Sequence, residues 1–328
     1  YFENMGLALS SFSYIFTPAN FSSCNLVVYK VGDGTTSLSN SAFPVSIDEI
    51  NPINGAVSQT LTTQFTGSNL LTQSGSAVSV GMLNSYNGYL SVPGYSSSIG
   101  TSLPSNNKAN CILDGNSLVT SYLQFNSPFV DDFFRSSLPI TSTSFYAVGN
   151  GSGNSTRGLY YYNGSFSSQL VNANLRVVEA FNNQLYVSNS TNIYAIGTGL
   201  PANNISTSTL PLGLLPNYPS GIASIYGFSI SPDSCTMYVA DNGTSQYGGV
   251  SKWKKNAGIW TWQYRYNCFS SDLTVDYSGQ NNVIYATINT AGTASTANKV
   301  IRLSDNGTSL ILDWTYTALT NYRFAGID

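Results

Sequence analysis

The sequence predicts an all-β fold assembled from repeating four-stranded sheets. Helical periodicity is nearly absent, and short runs of Val, Ile, Tyr, Phe and Thr alternate with clusters of Gly, Asn, Ser and Pro. Between Ile225 and Cys268, four such runs (YGFSI, TMYVAD, VSKWKK and IWTWQYRY) are joined by tight turns. That is the size of one blade of a β-propeller. A second copy follows at once as LTVDY, VIYATI, KVIRLS and LILDWTY, ending near Thr317.

Taken from the N-terminus, the remaining units are weaker copies. Residues 24–63 hold three strands, NLVVYKVG, PVSIDEI and AVSQTLTT, a blade without its innermost strand. YLSVPGY, ANCILD and VTSYLQF fill the unit from Ser76 to Phe125, and SFYAVG and GLYYYNG the one from Val130 to Val171. LRVVEA, LYVSN and IYAIG begin another at Leu175. The final YRFAGID, Tyr322–Asp328, is an innermost strand without a blade. Joining it to the first unit closes the ring and removes an open sheet edge. Six blades result, and seven remain open because residues 64–75 and 100–140 have room for further strands. The chain therefore divides into an N-terminal extension, 1–23, and a propeller, 24–328.

Composition excludes several functions. There is no histidine, so Ser-His-Asp and Cys-His nucleophiles and His-ligated metals are ruled out. Charged residues make up 8% of the chain, while Ser and Thr number 79 and Asn 35. Aromatics at 13% and a net charge of −3 separate the chain from disordered sequences. No run of eighteen apolar residues predicts a membrane span, and a pI near 4.8 without a basic run argues against nucleic acid. The chain begins at Tyr1 with no signal-like segment, so the expectation is an exported protein whose signal has been removed.

Cys24, Cys111, Cys235 and Cys268 are even in number and lack metal-like spacing, as in a disulfide framework. Of three possible pairings, Cys24 with Cys111 and Cys235 with Cys268 close the shorter loops; four buried thiols are the alternative. N-x-S/T sequons stand at Asn20, Asn150, Asn154, Asn163, Asn189, Asn204, Asn242 and Asn306. Composition alone predicts about eight. Placement says more: Asn150, Asn163, Asn242 and Asn306 precede Gly between strand-like runs, where hairpin tips carry glycans exposed to solvent.

Three stretches resemble a known group. CNLVVYKVGDGTTSLSNSAFPVSIDEI, VVEAFNNQLYVSNST with IYAIGTGLP, and SPDSCTMYVADNG followed by GVSKWKKNAGIWTW are similar to a group of secreted β-propeller proteins without assigned activity. The resemblance spans 24–328 and implies the fold and an extracellular or cell-surface location. It carries no catalytic residues across.

Carboxylates are the remaining acid–base candidates, because propeller glycosidases use facing carboxylates with one pKa raised. The visible clusters are Asp131 with Asp132, Asp48 with Glu49, and Asp272 with Asp276. Each has a plainer explanation in turns and strand alternation, so no catalytic residue is expected. No calcium-loop, P-loop, GxSxG or dinucleotide pattern occurs, so no metal or cofactor is expected. Arg135, Arg176 and Arg323 stand near the start of runs assigned to innermost strands (FFRSS, LRVV, YRFAG) and are candidates to share an anion at one end of the channel. The alternative is a separate partner for each. Trp260, Trp262, Tyr264 and Tyr266 fall on one face by alternation, beside Trp253, and suit either sugar stacking or blade packing.

Residues 1–23 lie outside the ring and alternate apolar side chains: Leu7 and Leu9, then Phe12, Tyr14 and Phe16. Such a tail either covers its own propeller or adds to a neighbour. The leading expectation is a glycosylated structural subunit that self-associates head-to-tail into a filament or matrix. The competing one is a monomeric carbohydrate-binding or polysaccharide-acting propeller using its channel mouth.

Overall fold

The computed structural model describes residues 21–22, 24–62, 65–103, 107–203, 210–211, 213–216, 218, 223–244, 246–288 and 298–328. Leu7, Leu9, Phe12, Tyr14, Phe16 and the sequons at Asn20 and Asn204 lie outside them. Among the described residues there is no α-helix, and the strands form a β-propeller.

The chain opens with β1 (Leu26–Val31), β2 (Ala42–Ile50) and β3 (Val57–Leu61), paired in that order. After β4 (Thr72–Ser74) come β5 (Asn84–Tyr86), β6 (Tyr89–Tyr95), β7 (Lys108–Asp114) and β8 (Val119–Phe125). The next groups are β9 (Phe134–Pro139), β10 (Ser144–Gly149) and β11 (Gly158–Asn163), then β12 (Val178–Phe181), β13 (Gln184–Ser188) and β14 (Ile193–Ala195). Two four-stranded sheets follow. One is β15 (Ile225–Ile230), β16 (Thr236–Asp241), β17 (Gly249–Asn256) and β18 (Ile259–Tyr266). The other is β19 (Ser270–Asp276), β20 (Val283–Ile288), β21 (Lys299–Asp305) and β22 (Leu310–Thr317). The last strand, β23 (Arg323–Ile327), pairs antiparallel with β1, so the C-terminal strand completes the N-terminal sheet as β23-β1-β2-β3. β4 bonds both β2 and β6 and merges the first two groups into one sheet.

Burial follows radial position. Every residue of β9, β10 and β15 is buried, whereas most of β18 and β22 is exposed or half-exposed. An inner strand is covered on both faces by neighbouring sheets, so its sequence loses the polar alternation of a half-buried strand. Apolar clusters fill the seams: Phe129, Phe134 and Ile112 in one, Leu26, Val28, Tyr285 and Val300 in another.

Small polar side chains cross the same seams. Asn84 Nδ2 donates to Ser136 Oγ (2.8 Å), Ser91 and Ser137 share a hydroxyl bond (2.7 Å), and Ser137 Oγ donates to Asn110 Oδ1 (2.7 Å). Ser188 Oγ donates to Tyr226 O (2.8 Å), and Thr287 Oγ1 to Ala325 O (2.9 Å) on the closing strand. All of these hydroxyl and amide side chains are buried. These few Ser, Thr and Asn residues therefore serve as interior fastening, because a short hydroxyl can satisfy a neighbouring carbonyl without a large desolvation cost.

Four of the outer strands share a further detail, absent from β11 and β14. In β3, β8, β18 and β22 the register slips by one residue, leaving Ser58, Thr120, Gln263 and Asp313 as the extra residue of a bulge. Bulges twist a free edge away from pairing with another strand.

Candidate functional site

Antiparallel order fixes which residues share an end of the channel. Gly149 pairs with Phe134 and Asp241 with Ile225, so each innermost strand begins where its neighbour ends. Arg135 in β9, Arg176 two residues before β12 and Arg323 at the head of β23 stand at this end. Each reaches the chain beyond it. Arg135 Nη1 donates to Asn174 Oδ1 (2.6 Å) and Leu175 O (3.0 Å). Arg176 Nη1 donates to Ser224 Oγ (2.8 Å) and Ile225 O (3.0 Å), its guanidinium 4.0 Å from the Tyr226 ring centre. Arg323 Nη2 donates to Ser74 O (2.9 Å).

The structure brings Arg135 and Arg176 into mutual electrostatic range; Arg323 interacts with Tyr29 instead. Burial, then repulsion from Arg176, lowers the Arg135 pKa to about 10. Beside Arg135 stands Tyr95, and Lys108 lies 5.7 Å from the Tyr95 ring centre. Burial lowers Lys108 to about 8 against the opposing pull of Asp131 and Asp132. Arg135 Nε and Tyr95 Oη are buried without a hydrogen-bond partner.

The carboxylate clusters expected from sequence are dispersed. Asp48 pairs with Lys30 (2.6 Å), while Glu49 accepts from Ser22 N and Asn25 Nδ2 on the opposite strand face. Asp132 accepts from Phe133 N (2.7 Å) and Asn150 Nδ2 (2.6 Å), and Asp276 caps a turn through Ser278 N (2.8 Å). The carboxyls that do interact are Glu179, Asp272 and Asp328, contributed by the region of β12, β19 and the end of β23. Burial, reinforced by the neighbouring carboxyls, raises Glu179 and Asp272 well above the carboxylate range. Glu179 is half-buried in β12. Asp272 accepts from Leu273 N (3.1 Å) and Ile327 N (3.1 Å), which pins the closing strand. Sequence proximity missed this trio because its members are about 56 to 149 residues apart; the available signal was a carboxylate inside each of three innermost runs.

The expected disulfides are not formed: all four cysteines are free thiols. Cys24 is exposed ahead of β1, while Cys111 is buried in the middle of β7. Cys235 precedes β16 and Cys268 lies beside Gly249, opposite the far end of that strand. Six residues of strand, about 20 Å, exceed any disulfide span. The aromatic row is also split. The bulge at Gln263 reverses the alternation, so Trp260 enters the cluster with Trp253 and Phe228, while Tyr264 and Tyr266 join the one with Leu273 and Ile301. Trp262 alone of the four is strongly exposed, with its ring centre 5.7 Å from that of Tyr247. Of the described sequons, Asn154, Asn163 and Asn306 are exposed, whereas Asn150, Asn189 and Asn242 are half-buried.

No protein-family model matches the sequence, and no curated protein does. Among solved structures the chain is similar to a chain of a nidogen/laminin complex, with a TM-score of 0.55 and 11% identity over 92% of this chain and 97% of that one. TolB from Acinetobacter baumannii is similar at a TM-score of 0.53 and 11% identity, over 95% of this chain and 67% of that one. The periplasmic gluconolactonase of Pseudomonas aeruginosa matches at 0.47 and 12%, over 92% and 99%. The first two likenesses show the β-propeller fold and leave function to the residues.

Proposed function

We propose that the protein is a non-enzymatic structural propeller of the cell exterior, six-bladed and glycosylated, that self-associates through residues 1–23. The observation supporting this reading is where the charges go. Arg135, Arg176 and Arg323 bond main-chain carbonyls of adjoining segments, and Lys252 pairs with Asp305 across a seam (2.6 Å). Part of the scarce charge thus holds the ring together, while Asp33, Asp131, Asp233, Lys254, Lys255, Asp276 and Asp313 are left exposed. Residues 4–29 contain no Lys, Arg, Asp or Glu, so the extension favours an apolar partner over water. Glycans at Asn154, Asn163 and Asn306 would cover exposed turns. Light scattering and negative-stain microscopy test the assembly: the native protein forms extended assemblies, and Phe12→Asp with Leu9→Asp reduces them to single particles. Assemblies of unchanged size overturn it.

A second reading is favoured by the orphaned Arg135 Nε and Tyr95 Oη: a carboxylate-bearing glycan held at the channel mouth beside Arg176. Calorimetry with oligogalacturonate would detect binding that Arg176→Ala removes; no heat with the parent protein disproves it.

A further inference from the structure

Where the ring closes, a cavity of ≈ 610 Å³ opens between β1 and the sheet of β19–β22, on the face of the ring opposite Arg135. Leu26, Pro52, Ile53, Val275, Val283 and Tyr285 wall it. One polar atom of its lining residues, Arg302 Nε, is shielded from solvent and has no partner. It is an obligate donor. A peptide unit carries a carbonyl acceptor, so an apolar extended segment can satisfy it while its side chains meet the walls.

We infer that this groove receives residues 7–16 of a second copy of the chain. The inference rests on the self-association proposed above and names its acceptor. The extension supplies the matching chemistry, with Leu7, Leu9, Phe12, Tyr14 and Phe16 alternating in an uncharged stretch. Its exit point decides between the chain's own groove and a neighbour's. Ser22 N and Asn25 Nδ2 donate to Glu49 Oε1 (2.7 and 2.8 Å), forming an anchored turn, and Phe21 packs with Tyr29 and Leu61. The groove lies on the other face of β1, with Leu26. At Phe21 the chain therefore stands on the side of β1 turned away from its own groove. The bulged outer strands are poorer acceptors, because their edges twist out of register for an added strand. A donor on one side and an acceptor on the other make a head-to-tail contact that repeats without closing.

Complementation in the full-length chain tests this. Ile53 is 82% exposed, so Ile53→Glu places a charge in the groove without touching the core. Leu9→Asp with Phe12→Asp disables the donor. Both proteins melt like the parent; each alone sediments as a monomer, with self-association weakened at least tenfold, and an equimolar mixture forms one-to-one dimers. Leu319→Glu, at another exposed apolar position, leaves assembly intact. If Ile53→Glu assembles like the parent while the donor variant does not, the groove is wrong and self-association stands. If both assemble like the parent, self-association itself fails. If both are monomers and the mixture stays monomeric, or Leu319→Glu is as damaging as Ile53→Glu, the donor–groove pairing is overturned.

Discussion

Removing the Asp305 carboxylate should cost more than any surface charge in this protein. Asp305 ends β21 and is 3% exposed. Its Oδ2 receives Lys252 Nζ (2.6 Å) and the Tyr238 hydroxyl, and its Oδ1 receives the Tyr264 hydroxyl (2.5 Å) and Gly307 N (2.8 Å). Strands β16, β17 and β18 of one sheet are thereby tied to β21 of the next. Asp305→Ala leaves the Lys252 ammonium buried with Tyr264 Oη at 3.0 Å, and breaking such a pair costs about 3–5 kcal/mol. At about 2.1 cal/mol/K per residue, 328 residues give an unfolding entropy near ~0.7 kcal/mol/K, so Tm falls by about 4–7 °C. Adding Lys252→Met removes the stranded charge and should recover at least about half of the loss. Calorimetry at pH 7 measures both. The pH dependence supplies a second check. Burial pushes Asp305 up, but hydrogen bonds from Lys252, Tyr238 and Tyr264 outweigh it and hold its pKa below the usual value. Its contribution is thus present above the unfolded pKa and is lost as pH falls through the folded one, so the gap between parent and Asp305→Ala narrows below about pH 4. A fall in Tm of less than about 1.5 °C at pH 7, equivalent to ~1 kcal/mol, would reduce the pair to the standing of a surface contact and refute the reasoning.

Other outcomes follow from the same geometry. Burial and the neighbouring Asp328 and Asp272 carboxyls raise Glu179, so the native protein retains a proton that the unfolded chain loses near pH 4. Stability is complete below that pH and declines as pH rises through the native value; Glu179→Gln should therefore lose less stability than the parent between pH 4 and 8, and identical slopes in thermal melts would contradict this. A Cβ at Gly326 would sit 2.2 Å from Leu83 N and 2.6 Å from Gly81 O. Both obstacles are backbone, so Gly326→Ala should displace the closing strand at a cost of about 1–3 kcal/mol and speed proteolysis at the C-terminal end; unchanged melting and cleavage would show that the seam yields freely. Cys24 and Cys235 are exposed, while burial pushes the Cys111 and Cys268 thiols up to about 12. A thiol-reactive dye should label two cysteines in the native protein and four after unfolding; no native labelling would instead support a bonded framework.

The propeller was legible because its evidence is local. Runs such as TMYVAD and VSKWKK, separated by turn residues, become β16 and β17 with the expected order, and the unpaired YRFAGID finds the three-stranded first unit. Chemistry that depends on neighbours in space was less legible. The three arginines were found at strand starts, but their carbonyl partners belong to other segments. The interacting trio of Glu179, Asp272 and Asp328 could not emerge from sequence spacing, since three separate innermost strands bring it together.

The amino-acid sequence by itself determined strand content, turn placement, ring closure and the exclusion of histidine chemistry, because propensity and pattern act over a few residues. Only the tertiary structure decided how the scarce charges and abundant hydroxyls are used. One extra residue at Gln263 turns Trp260 and Tyr264 to opposite faces, and a strand length separates Cys235 from Cys268. Ser136, Ser137 and Asn84, which composition records only as part of a polar count, fasten a seam between sheets. Register and inter-sheet packing set these outcomes, and both are properties of the closed ring.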